Sequence, residues 1–178
     1  MRRAFRRQLR QGARQVPPIL QEANLAFDKG EFGRAAELFE RIAEGADARG
    51  GPRAPLFHLQ SGRARVYAGQ TVLGIPSLKR GLALLAERKQ YQRLINAKTR
   101  VLSELKARGL LEEAAEIETW LQTVAPPASE IETKLPPSKK PLLPTHCPQC
   151  GAALRSDEVE WIDDVTAECG YCGSPVRE

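Results

Sequence analysis

The sequence predicts a mainly α-helical chain: three antiparallel helical hairpins followed by a small C-terminal β module. Three observations carry that prediction. Ala, Leu, Arg and Glu are plentiful and aromatic residues make up only 6%, which favours helix. Apolar residues recur at helical spacing in six stretches between residues 17 and 124, most of them bounded by glycine or proline. All four cysteines fall in the last 32 residues, as two C-x-x-C pairs separated by short stretches of strand-like alternation.

The helices follow in order. Pro17-Pro18 suits a first helical turn, and Ile19, Leu20, Ala23, Ala26 and Phe27 then share one face up to the stop at Gly30. A second helix carries Phe32, Ala35, Ala36, Phe39, Ile42 and Ala43, and a tight glycine turn makes the two a hairpin. After the spacer DARGGPR, Pro55 opens a third helix with Leu56, Leu59, Val66 and Tyr67 as its apolar positions. The fourth carries Leu78, Leu82 and Leu85, its start blurred by Gly74 and Pro76. The fifth carries Leu94, Ala97, Val101 and Leu105, Gly109 stops it, and LLEEAAEIETWLQ is the sixth.

Two second helices share a pattern. Glycine, a large apolar residue two positions on and alanine three further occur at Gly30, Phe32 and Ala35, and again at Gly109, Leu111 and Ala114. Residues 17–124 therefore resemble a tetratricopeptide-type array, which implies an α-solenoid with a groove for a peptide or helix. The middle hairpin departs from the pattern, with Pro76 near where alanine would fall. The first helices lack the family's Trp-Leu-Gly-Tyr elements. The order expected along the chain is a basic amphipathic arm (1–16), the hairpin array (17–124), a proline-rich linker (125–144) and the cysteine module (145–178).

Cys147, Cys150, Cys169 and Cys172 have the spacing of metal ligands, with eighteen residues between the pairs. Two residues between cysteines let the backbone turn both sulfurs toward one ion. Gly151 and Gly173 follow the pairs and permit the positive φ that brings N–H groups to the sulfurs. Four thiolates in a tetrahedron suit Zn²⁺. AALR and VEWI read as short strands and VTAEC runs back into the second turn, so the segment resembles a zinc ribbon. Such a site is structural: four thiolates leave no open position for water or substrate, and the metal folds a module too small to fold alone. His146 adjoins the first cysteine but is not counted among the ligands, since the shell is already full.

The net charge of +5 conceals blocks of opposite sign. Residues 1–15 hold six Arg and no acid; residues 48–110 hold thirteen Lys or Arg and two Glu; residues 146–178 hold two Arg and seven acids. An acidic ribbon repels phosphates, so Trp161 among its acids suits a basic protein surface. Arg63, Arg65, Lys79, Arg80 and Arg100 in the central block, and Arg2, Arg3, Arg6 and Arg7 in the arm, are the candidate cationic contacts. They fit an acidic protein or peptide partner, the chain's own ribbon docking back on the array, or nucleic acid as the alternative. The arm is expected to cap the first hairpin in preference to lying on a membrane.

No phosphate-binding glycine loop, HExxH or nucleophile elbow is present, and His58 and His146 are the only histidines. Glu112 and Glu116 share a helical face, as exposed helix glutamates commonly do. A non-catalytic protein is expected. No apolar run reaches the roughly 18–20 residues of a membrane span, and no secretory leader is legible, so the expected location is the cytoplasm, where paired cysteines hold metal.

Overall fold

The computed structural model describes residues 16–125, 142–156, 159–161 and 166–177. The helices are α1 (Pro18–Asp28), α2 (Phe32–Ala48), α3 (Ala54–Tyr67), α4 (Thr71–Glu87), α5 (Tyr91–Ala107) and α6 (Leu111–Val124). Strands β1 (Glu160–Trp161), β2 (Ala167–Glu168) and β3 (Pro175–Val176) follow. The basic arm with Arg2, Arg3, Arg6 and Arg7, and the proline-rich segment 126–141, lie outside the described residues. No described helix is long and apolar enough to cross a membrane.

All five helix connections begin with one turn. At the α2–α3 connection Gly50 takes φ 62° and the Gly51 N–H reaches the Ala46 carbonyl at 2.7 Å; in the other four the next helix follows at once. Gly30, Gly69 and Gly109 adopt φ values of 78°, 76° and 76°, and Lys89 takes the same left-handed conformation at 56°. The next N–H reaches back five residues in every case: Glu31 to the Ala26 carbonyl, Gln70 to Arg65, Gln90 to Leu85 and Leu110 to Leu105, at 2.8–3.0 Å. The three glycines stand 39 and 40 residues apart. Five residues after them come Ala35, Gly74 and Ala114, all buried. The middle hairpin thus keeps the register of the others, with Gly74 rather than Pro76 in the alanine's place.

Close packing explains that glycine. A Cβ on Gly74 would lie 2.9 Å from Val66 Cγ2, one on Gly62 2.7 Å from Leu78 Cγ, and one on Gly81 2.7 Å from Leu59 Cγ. The α3 and α4 backbones approach through these three positions, and α4 runs from Thr71 straight through Pro76 instead of starting after it. The missing Pro76 N–H would have met the Val72 carbonyl in the first turn, and Val72 is 86% exposed. The spacer before α3 is also shorter than the sequence suggests, because Asp47 and Ala48 remain in α2.

Two apolar clusters share α3. Phe57 and Ala64 join α1, α2 and the cysteine module, with Phe39, Leu20 and Val176. Leu59 and Val66 join α4, α5 and α6 through Leu82, Val101 and Ile117. A helix covered on both sides has no polar face, and this is why α3 reads with weak periodicity. Strands β1, β2 and β3 form one antiparallel sheet in that order, with Trp161 opposite Ala167 and Ala167 opposite Val176. β3 is an addition to the expected strands, while AALR contributes only an isolated bridge from Ala153 to His146.

His58, within α3, is largely buried. It packs between α2 and α4 with its side chain 13% exposed and Nε2 3.4 Å from Asp47 Oδ2, which also binds Arg80 Nη2 at 2.8 Å. Burial lowers the His58 pKa below its usual value, aided by the Arg80 charge and opposed by Asp47 and Glu44. The Arg80 guanidinium holds Asp47 below the carboxylate range.

Two outcomes follow. Lys89→Gly relieves a left-handed side chain and raises stability by up to about 1 kcal/mol, whereas Gly69→Ala lowers it by about the same, both read from denaturant midpoints. As pH falls through the usual histidine value, unfolded chains take up a proton that folded His58 resists. The thermal midpoint therefore falls from pH 7 to pH 5, and the fall shrinks in His58→Gln.

Candidate metal centre

The two cysteine pairs form matching turns. The Cys147 N–H donates to the Ala152 carbonyl at 2.8 Å and the Gly151 N–H to the Cys147 carbonyl at 2.9 Å. In the second turn the Cys169 N–H donates to Ser174 at 2.9 Å and the Gly173 N–H to Cys169 at 2.8 Å. Gly151 and Gly173 close them at φ 73° and 77°, as the spacing predicted.

The turns face one another and bring four sulfurs together. All four Sγ atoms lie within 4.8 Å of one another, and all four cysteines are buried. Cys147 and Cys172 Sγ are 3.7 Å apart, and Cys150 and Cys169 Sγ 3.8 Å. These separations exceed the roughly 2.05 Å of a disulfide. A tetrahedral ion with metal–sulfur bonds of about 2.3 Å needs sulfur–sulfur edges of about 3.8 Å. The residues therefore fit a metal ion held by four thiolates, consistent with zinc.

The chemistry of the thiols points the same way. Hydrogen bonds from Cys150 and Cys169 hold the Cys172 thiol well below its ordinary range, and Ser174 Oγ stands 3.3 Å from its sulfur. Contact with Cys169 and Cys172, then burial, pushes Cys150 far up. Cys169 accepts help from Cys150, but Cys172 and burial outweigh it and push the thiol up to about 12. One thiolate is stabilised at its neighbours' expense, and only a cation lets all four ionise together.

The module sits on α1 and α3. Asn24 Nδ2 donates to the Cys150 carbonyl at 2.8 Å, and Gln21 Nε2 to that of Gln149 at 2.9 Å. Arg53, just before α3, gives Nε to the Gly170 carbonyl at 2.9 Å and Nη2 to Glu168 at 3.0 Å. Gln60 bonds the Tyr171 hydroxyl, and the Phe57 and Tyr171 rings lie 6.5 Å apart. None of these residues is evident as functional in the sequence. The available signals are Asn24 and Gln60, polar side chains among buried neighbours, and Tyr171 between two cysteines.

The other expected residues are placed as follows. Arg63 and Arg100 both reach Glu104, at 2.7 and 3.4 Å. Arg65 pairs with Glu40, Lys79 with Glu116 at 2.5 Å, and Arg80 with Asp47. The structure gathers these cations into ion pairs, all between helices except Arg100 with Glu104 within α5. Trp161 lies in β1, opposite Ala167 of β2. His146 stands outside the sulfur cluster, with Nε2 3.6 Å from Asp28 Oδ1. Glu112 lies in the first turn of α6.

Compared with protein-family models, with curated proteins and with solved structures, the chain matches none. Fold and site define it as a mainly helical protein with a cluster of four cysteines that could hold a metal ion.

Removing the metal should open the module without melting α4–α6. Chelation is expected to speed amide exchange at Cys147, Gly151, Cys169 and Gly173 by orders of magnitude, and Cys169→Ser to abolish tight retention of one ion per chain. Mass-spectrometric exchange and metal analysis check both.

Proposed function

We propose that the chain is a non-catalytic protein-interaction adaptor: a tetratricopeptide-like array of three hairpins bearing a structural zinc ribbon. A site whose four ligands are all protein thiolates, buried beneath helices, leaves the ion no position for substrate. The ion builds a surface.

One observation carries the binding role. A cleft of about 60 Å³ opens between α3, α5 and the ribbon. Its floor is apolar, from Leu56, Leu59, Val101 and Leu154. Its lining includes Arg63, Arg93, Arg100 and Arg155, of which Arg63 and Arg100 also pair with Glu104 outside the lining. Apolar floor and cationic wall suit one aliphatic side chain of an acidic peptide. The rival reading, a nucleic-acid factor that uses the arm and central helices, draws on the same cations and is separated from this one by experiment. The cytoplasm, with its reduced thiols, is the compartment that agrees with this role.

The full chain is tested against an array of peptides that carry one leucine among acids, among lysines, or replaced by serine. Selective retention of the leucine–acid set, weakened roughly tenfold by Arg63→Glu, is the expected result. Co-purifying nucleic acid that high salt removes, with no peptide selectivity, overturns it.

A further inference from the structure

The ribbon is held on the array by its own metal turns. The three carbonyls that α1 and the start of α3 engage, those of Gln149, Cys150 and Gly170, all belong to the two C-x-x-C segments. Contact is thus concentrated on the few peptides that shape the ligand cage.

The chemistry of those peptides links the contact to the ion. The peptide between Gly170 and Tyr171 has its carbonyl on the Arg53 guanidinium at 2.9 Å, and its N–H faces the Cys169 sulfur. A cation pulling on the carbonyl polarises the N–H on the other side, which strengthens its bond to sulfur. In the first turn, the peptide between Cys150 and Gly151 has its carbonyl on Asn24 and its N–H on the Cys147 carbonyl, which closes the turn. Asn24 is only 6% exposed, a polar side chain on an otherwise apolar helix face. The turn glycines also face these residues. A Cβ on Gly151 would contact Asn24 Cβ at 3.6 Å, and one on Gly173 would collide with the Arg53 guanidinium.

We propose that Asn24 and Arg53 are positioning residues of the metal centre, so that ion binding and docking of the ribbon on α1 and α3 are one coupled event. The proposal rests on the zinc-ribbon reading. Its consequence is functional. One wall of the cleft, with Leu154, Arg155 and Tyr171, comes from the ribbon, and the other, with Leu59 and Val101, from α3 and α5. The ion therefore assembles the cleft, and linkage makes the effect reciprocal: what loosens docking loosens the metal.

The test uses the full chain loaded with cobalt(II), whose visible spectrum reports thiolate ligation, and titrated with a competing chelator. Asn24→Ala and Arg53→Ala are expected to raise the metal dissociation constant about 10–100-fold. Their helical circular dichroism stays unchanged, since alanine is a good helix former. Arg53→Lys recovers part of the loss, and Lys79→Ala, on an ion pair away from the ribbon, leaves the constant unchanged. Metal removal should also raise amide exchange in α1 and α3 more than in α6. If the parent chain binds no metal, the zinc-ribbon reading falls and this inference with it. If the parent binds metal while both alanine variants hold it within twofold of the parent, the positioning role alone is overturned.

Discussion

Four buried thiols within 4.8 Å of each other are an electrostatic problem before they are a binding site. As thiolates they repel; as thiols they leave polar atoms in an apolar setting. A tetrahedral cation resolves both conditions, and the C-terminal module has little else to hold it. Its described strands are two residues each, too short to form an independent sheet. The sulfur cluster belongs to the same apolar cluster as Leu20, Phe39 and Phe57. The centre of the module and the first half of the helical array thus share one core.

The array supplies the platform through two devices. Recurrent left-handed turns fix how each helix follows the last, and glycines at the α3–α4 contact let two backbones come close. α3 then belongs to both apolar clusters. It carries Phe57 and Gln60 toward the cysteine turns and Leu59 and Val66 toward the rest of the array. Residues one or two positions apart on a helix point to different sides, so a single helix couples the two halves.

The helices and the cysteine turns were legible because each rests on local rules. Helical spacing, proline at helix starts and glycine after them located the six helices. The C-x-x-C-G pattern located the turns down to the sign of φ at Gly151 and Gly173. What was hidden depends on partners distant in sequence. Gly74 and Pro76 looked like breakers because nothing local reveals that Val66 needs the space. Asn24 looked like a neutral helix residue because its carbonyl partner lies 126 positions later. The thirteen cations of the central block suggested a basic surface because sequence shows their sum and not their pairing with Glu40, Glu104 and Glu116. β3 was missed because two residues give no alternation to read.

The separation between Asn24 and Cys150 also has a meaning in time. Hairpin contacts form between near neighbours and close quickly, whereas the cover for the α1–α3 face is made on a ribosome only after all six helices. At roughly 5–20 residues per second, the first hairpin waits on the order of 6–25 seconds for its lid to be synthesised. Throughout that interval Leu20, Ala23 and Phe57 are without the cysteine turns that bury them in the finished chain. The nascent protein therefore presents its apolar platform to the cell before it can close it, and docking of the cysteine turns ends that exposure.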